Sequence, residues 1–241
     1  MKTLSIENLI SAPFTPMNAD ESINVDAIPA YGQCLLDQGI TKVYILGTTG
    51  EGMSLSVDER MKVAEAWKNF GKMDIIMNHI GANSIADVKA LAAHSEKIGL
   101  DAIAMLAPFY YKCADLDSLI DYLAEVGICF IATDNKFQVS KSAPNTPLVY
   151  YHFAGKTGVD YNVADLIEKA LVKVPTFAGV KFTGWDLGTA IEANRQYGNK
   201  VMIGYGKDEQ VMASYFMGLK CSVGSTYNWA GKIWNEAIQG K

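Results

Sequence analysis

Short apolar runs alternate with segments of helical period along nearly the whole chain. Strands are expected near Leu9–Ala12, Lys42–Leu46, Asp74–His79, Ala102–Leu106, Leu148–Tyr151, Phe177–Lys181, Val201–Tyr205 and Cys221–Ser225. Helices are expected near Val25–Gln38, Val57–Phe70, Ile85–Ile98, Leu116–Val126, Val163–Val174, Leu187–Tyr197 and Glu209–Met217. Val88, Leu91, Ala92 and Ile98 fall at helical spacing, as do Val163, Leu166, Ile167, Ala170 and Leu171. Ser56-x-x-Glu59 has the form of a capping box, and Ser84 and Asn162 stand where N-caps belong. Strict βα alternation implies parallel strands joined by right-handed crossovers. Eight strands predict a closed (β/α)8 TIM barrel rather than an open sheet, spanning residues 1–241 as one domain without linker or repeat.

Composition narrows the function without choosing it. Hydrophobic residues make up 49% and charged residues 20% of the 241, enough to build a sizeable core. The net charge is −5 with both signs spread along the chain and no basic run, which argues against a nucleic-acid partner. No apolar stretch reaches membrane-spanning length, and Met1–Glu7 lacks a signal-peptide core. The four cysteines (Cys34, Cys113, Cys129 and Cys221) are scattered, with neither metal spacing nor a disulfide framework, as expected for a reducing cytoplasm.

The candidate chemistry centres on Lys181, which closes the apolar run Phe177-Ala178-Gly179-Val180-Lys181-Phe182. An amine taken into a low-dielectric site loses proton affinity and becomes a nucleophile toward carbonyls, the chemistry of Schiff-base enzymes. The bland alternative is a strand-end lysine that snorkels to solvent. In a barrel, the strand ends and the loops after them meet on one rim. That rim gathers Gly47-Thr48-Thr49-Gly50-Glu51-Gly52, whose amides and hydroxyls suit a carboxylate. It also gathers Tyr150 and Tyr151, then Thr183, then Gly206, Asp208 and Glu209, and finally Gly224–Asn228. Each cluster also has a purely structural reading, as turn, packing or helix start. The histidines His79, His94 and His152 show no i,i+4 ligand spacing, so no metal is assigned and each reads as structural; His152, beside Tyr151, is the one nearest the expected chemistry.

Taken together, these residues resemble the N-acetylneuraminate lyase subgroup of the pyruvate-dependent class I aldolases, a superfamily that includes dihydrodipicolinate synthase. The resemblance runs from about residue 8 to residue 233. It rests on Gly-Thr-Thr-Gly-Glu at 47–51, Ala-Pro-Phe-Tyr-Tyr at 107–111, Tyr-Tyr-His at 150–152, Gly-Val-Lys-Phe at 179–182 and Gly-Ser-Thr-Tyr-Asn at 224–228. The last of these, with Gly-x-Asp-Glu at 206–209, is similar to sialate lyases rather than to dihydrodipicolinate synthases. The resemblance implies that Lys181 forms an imine with the C2 ketone of sialic acid and that Tyr151 moves the C4 hydroxyl proton. Thr48 and Thr49 would hold the carboxylate; Asp208, Glu209 and Ser225 would hold the polyol tail, assisted by Thr183 and the Gly206 backbone. The imine serves as the electron sink, so neither cofactor nor metal is expected. The implied ligands are sialic acid and pyruvate, and the implied assembly is a homotetramer in which Tyr110 or Tyr111 reaches a neighbouring subunit's site.

Three features depart from the family pattern. Lys156 stands where dihydrodipicolinate synthases carry a carboxylate-binding arginine, which keeps a dicarboxylate-type substrate open beside a solvated loop lysine. Gly127–Lys141 has the look of an insertion between the fourth helix and fifth strand. Trp229–Ile238 supplies only part of an eighth helix, and the family's C-terminal helical region has no counterpart, so uncovered apolar surface is expected. The competing readings are therefore a sialic-acid aldolase, another pyruvate-dependent or dihydrodipicolinate-synthase-like enzyme, and a non-catalytic fragment or subunit.

Overall fold

Eight parallel strands close on themselves in sequence order, each hydrogen-bonded to the next and β8 back to β1. The computed structural model describes residues 4, 6–127 and 142–240. Within these, the strands are β1 (Asn8–Ser11), β2 (Lys42–Ile45), β3 (Ile75–His79), β4 (Ala102–Leu106), β5 (Leu148–His152), β6 (Phe177–Phe182), β7 (Met202–Tyr205) and β8 (Cys221–Gly224). The helices are α1 (Ile28–Asp37), α2 (Val57–Phe70), α3 (Ile85–Lys97), α4 (Leu116–Gly127), α5 (Ala154–Thr157), α6 (Val163–Lys173), α7 (Leu187–Tyr197), α8 (Val211–Phe216) and α9 (Tyr227–Ile238). The architecture is a TIM barrel, as the alternation of periods requires.

Element bounds differ from expectation where local geometry overrides pattern. The first helix begins with a 3-10 turn at Val25–Ala27, and the helix expected at Glu209–Met217 opens with one at Asp208–Gln210. The loop after β5 holds the single helical turn α5. The last helix starts at Tyr227, two residues earlier than expected, and packs on β1 and α1. The expected insertion at Gly127–Lys141 lies, apart from Gly127, outside the described residues. The capping box forms: Ser56 Oγ accepts from the Glu59 amide at 3.3 Å, and Glu59 Oε2 accepts from the Ser56 amide at 2.8 Å. Ser84 and Asn162 cap α3 and α6 in the same sense.

Two apolar layers result. Inward-facing side chains such as Ile10, Tyr44, Met77, Ala104, Val149, Tyr151 and Val223 fill the barrel, while Leu91, Ile103, Leu123, Tyr150, Leu166 and Val180 pack between strands and helices. Strand side chains alternate between these layers. One irregularity changes the outcome for the chemistry. Leu148 pairs with Phe177, but Val149 pairs with Gly179, so Ala178 is an extra residue in β6. Ala178 faces inward and Val180 outward. The bulge shifts the parity of every later residue, so Lys181 turns into the barrel. Gly179 is needed there, since a Cβ would lie 2.2 Å from the Met202 carbonyl oxygen of β7.

The seam between β8 and β1 is locked by Asn228. Its Oδ1 accepts from Ser11 Oγ at 2.6 Å and Tyr31 Oη at 2.7 Å; its Nδ2 donates to the carbonyls of Ala12 at 2.7 Å and Ser225 at 2.8 Å. Buried groups robbed of a partner cost more than the bond itself contributes. Asn228→Ala is therefore expected to lower stability by about 2–4 kcal/mol, read as a shifted urea midpoint; a shift worth under about 0.5 kcal/mol would show that the seam does not depend on it.

Candidate active site

A cavity of about 450 Å³ opens on the rim formed by the strand C-termini, and Lys181 is part of its wall. Its lining includes Thr48, Thr49, Tyr151, Thr183, Gly206, Asp208, Glu209 and Ser225. Every residue expected at the site from the sequence is thus brought together, except Tyr110 and Tyr111. Those two stand outside this wall, 74% and 84% exposed, with their rings edge to face at 4.9 Å.

Lys181 is 5% exposed, so the snorkelling alternative does not hold. Its Nζ lies 3.9 Å from the Tyr44 ring centroid and 4.1 Å from that of Tyr151. Burial lowers its pKa from 10.5 to about 7, against the opposing pull of the Asp208 carboxylate. Two aromatic faces favour a cation, but they do not replace lost hydration. A substantial share of the amine is therefore neutral near pH 7.

The β2 loop explains how the threonines arrive. Leu46 and Glu51 hold left-handed backbone angles, φ 59° and 52°, which cost a non-glycine residue about 1 kcal/mol each. Between them the chain folds back over the barrel mouth. Gly47 leaves room for Tyr44, since a Cβ would sit 2.5 Å from the tyrosine ring. That same ring contacts Lys181, so the glycine and the lysine are linked through Tyr44. Thr48 Oγ1 lies 3.5 Å from Tyr151 Oη, a long contact. Thr49 Oγ1 and Ser225 Oγ share a hydrogen bond at 2.7 Å, joining the expected carboxylate end and polyol end of the site.

Strand parity separates neighbours that the sequence left equivalent. Tyr151 faces the cavity; Tyr150 faces the outer layer. Burial pushes the Tyr151 phenol above its usual pKa, with the Thr48 contact opposing. His152 also turns outward, where it stacks on Phe182 at 4.9 Å and approaches Asp160 at 3.3 Å. His79 is the histidine nearest the chemistry: fully buried, its ring is edge-on to Tyr151 at 5.9 Å. Burial, followed by Arg60 and Lys181, holds its pKa well below the usual value, so it is a neutral ring supporting the tyrosines. Lys156 is exposed on α5 and does not line the cavity.

The rim after β7 is more constrained than its motif suggests. Asp208 Oδ2 accepts from the Thr226 amide at 2.8 Å, leaving Oδ1 for a ligand. Gly206 donates its amide to the Phe182 carbonyl at 2.8 Å. Thr183 Oγ1 is buried and has no partner among the described residues. Tyr44, Lys207 and Trp234 were not expected from the sequence. Tyr44 could have been found from strand parity on β2 and Lys207 from its place between Gly206 and Asp208, whereas Trp234 reaches the site only through the fold.

A TIM barrel with a buried, deprotonable lysine at the end of β6 defines the class I aldolase type of site. The pattern of the dihydrodipicolinate synthetase family matches residues 5–240, and the chain belongs to that family. N-acetylneuraminate lyases of Mus musculus and Homo sapiens are each 38% identical over 240 residues, covering 97% of this chain and 70% of theirs. Among solved structures, Proteus mirabilis N-acetylneuraminate lyase superposes with TM-score 0.87 at 34% identity, covering 97% of this chain and 75% of that one. The native Aliivibrio salmonicida enzyme, a sialic acid aldolase, gives 0.88 at 30%, covering all of this chain and 75% of that one.

Proposed function

We propose that this chain is an N-acetylneuraminate lyase, cleaving sialic acid to N-acetylmannosamine and pyruvate through an imine on Lys181. The observation that carries this reading is the Lys181 amine, buried in the cavity wall between two tyrosine rings with its pKa near 7. The relatives' names and the lining of Thr48, Thr49, Asp208, Glu209 and Ser225 support the substrate.

The neutral amine attacks the C2 ketone of the open-chain acid, and water leaves as the imine forms. Thr48 and Thr49 hold the C1 carboxylate. Tyr151 removes the C4 hydroxyl proton; the C3–C4 bond breaks, its electrons entering the protonated imine to give the enamine. The aldehyde departs as N-acetylmannosamine. Protonation at C3 and return of one water release pyruvate and restore the amine. Burial keeps Tyr151 a phenol, so it takes the C4 proton only while handing its own on, and Thr48 Oγ1 is the adjacent hydroxyl. Asp208 Oδ1, Glu209, Ser225, Thr183 and the Gly206 backbone bind the tail. Assembly as a homotetramer, with exposed Tyr110 or Tyr111 approaching a neighbour's cavity, belongs to the same proposal.

Borohydride reduction in the presence of pyruvate tests it. A pyruvyl adduct on the peptide containing Lys181, together with release of N-acetylmannosamine from N-acetylneuraminate, is the expected result. No adduct in folded protein overturns the imine; an adduct without sialate cleavage overturns the substrate.

A further inference from the structure

Lys207 lines the cavity between Gly206 and Asp208, and the reaction above leaves its ammonium unused. Two carboxylates follow it directly in sequence, yet its Nζ makes no ion pair and no hydrogen bond among the described residues. It lies instead 3.9 Å from the centroid of the Trp185 ring. Trp185 is 63% exposed on the loop after β6, two residues beyond the cavity residue Thr183. An indole so exposed gains little from burial, and its face acts here as a rest for the cation. One face of an ammonium meets the ring, which leaves N–H donors for a ligand.

The polarity of the wall says what that ligand offers. Asp208 and Glu209 only accept hydrogen bonds, so alone they pair the O–H protons of a polyol and leave its oxygen lone pairs unmatched. The Ser225 and Thr183 hydroxyls supply neutral donors, and a lysine beside the carboxylates adds charged ones; a wall that pairs both sides of each hydroxyl discriminates best. Lys181 fixes where the ketone carbon binds, and Lys207 stands on the β7 rim with the tail-binding carboxylates. We propose that Lys207, held by Trp185, is a specificity-determining residue that donates to oxygen atoms at the far end of the tail of a nine-carbon 2-oxo sugar acid. The inference rests on the aldolase reading and refines which substrates it takes.

The test uses binding as well as turnover. In a Lys181→Ala background, which forms no imine, calorimetry with N-acetylneuraminate should show Lys207→Met weakening Kd about tenfold, the loss of one charge-assisted hydrogen bond. Lys207→Arg should restore most of the affinity, and Trp185→Ala should fall between. With Lys181 present, Lys207→Met should raise KM for N-acetylneuraminate by a similar factor and leave kcat within about twofold. It should leave kcat/KM unchanged for a six-carbon 4-hydroxy-2-oxo sugar acid, whose tail ends short of the rim. An unchanged Kd, no binding by either Lys181→Ala chain, or an equal loss for both substrates overturns the inference. Failure of the unsubstituted chain to trap pyruvate overturns the aldolase reading instead, and the calorimetric comparison does not depend on it.

Discussion

Lys181→Met is expected to raise thermal stability while abolishing turnover. The lysine is buried with a pKa of about 7, against 10.5 for the ordinary side chain. Below pH 7 the folded protein carries a poorly solvated cation, and its full cost falls on the fold. Between pH 7 and 10.5 the unfolded chain holds a proton that the folded chain has lost, so wild-type stability rises with pH across that window. Methionine has similar length and no charge to bury. The gain should be of order 3 kcal/mol at pH 6, or roughly 6–12 °C in Tm, and should shrink as the pH approaches 10.5. Thermal unfolding of both proteins at pH 6 and pH 9.5 checks it; an equal or lower Tm for the variant at pH 6 would contradict the burial. Pyruvate trapping should vanish, and cleavage should fall by at least about 10⁴-fold. The wild-type kcat/KM should drop about tenfold per pH step below pH 7, because only the neutral amine attacks.

Tyr151→Phe should separate proton transfer from imine formation. The ring stays against Lys181 and His79, and the hydroxyl gives up a single 3.5 Å contact with Thr48, so stability should change by less than about 1 kcal/mol. Trapping of pyruvate should persist within a few-fold, since the lysine keeps its surroundings. Cleavage of the C3–C4 bond should slow by about 10²–10³-fold, the usual cost of losing a positioned acid–base group. Single-turnover cleavage beside trapping yields reads the two steps apart. If cleavage stays within about threefold of wild type, the proton leaves by another route. With these outcomes the two variants would assign different steps to residues whose side chains touch, the electron sink to Lys181 and service of the departing aldehyde to Tyr151.

The sequence by itself determined the architecture and most of the site. Short apolar runs alternating with segments of period 3.6 place eight strands and their crossovers, and parallel strands covered by helices are buried on both faces, which is why they read as continuous apolar runs. Because active residues of this architecture sit at strand C-termini, position alone gathered Thr48, Thr49, Thr183, Asp208, Glu209 and Ser225 on one rim, and their separate roles were expected from the family resemblance. Local chemistry also carried the capping box at Ser56 and Glu59, which depends on residues three apart.

Only the tertiary structure decided which way side chains point and what they meet. Continued from the inward-facing Ala178, a strict period of two would send Val180 and Phe182 inward and Lys181 outward. The extra residue Ala178 reverses this, and it is permitted because Gly179 lets the β7 backbone approach. The same parity, fixed by pairing across strands, puts Tyr151 in the cavity and Tyr150 and His152 behind it. Tyr44 joins Lys181 through a ring that Gly47 makes room for, and Lys207 finds Trp185 across two loops distant in the chain. Such contacts are long-range, and sequence patterns record only the local period. The lowered pKa of Lys181 has the same origin: desolvation is a property of the closed barrel, and no residue beside the lysine in sequence supplies it.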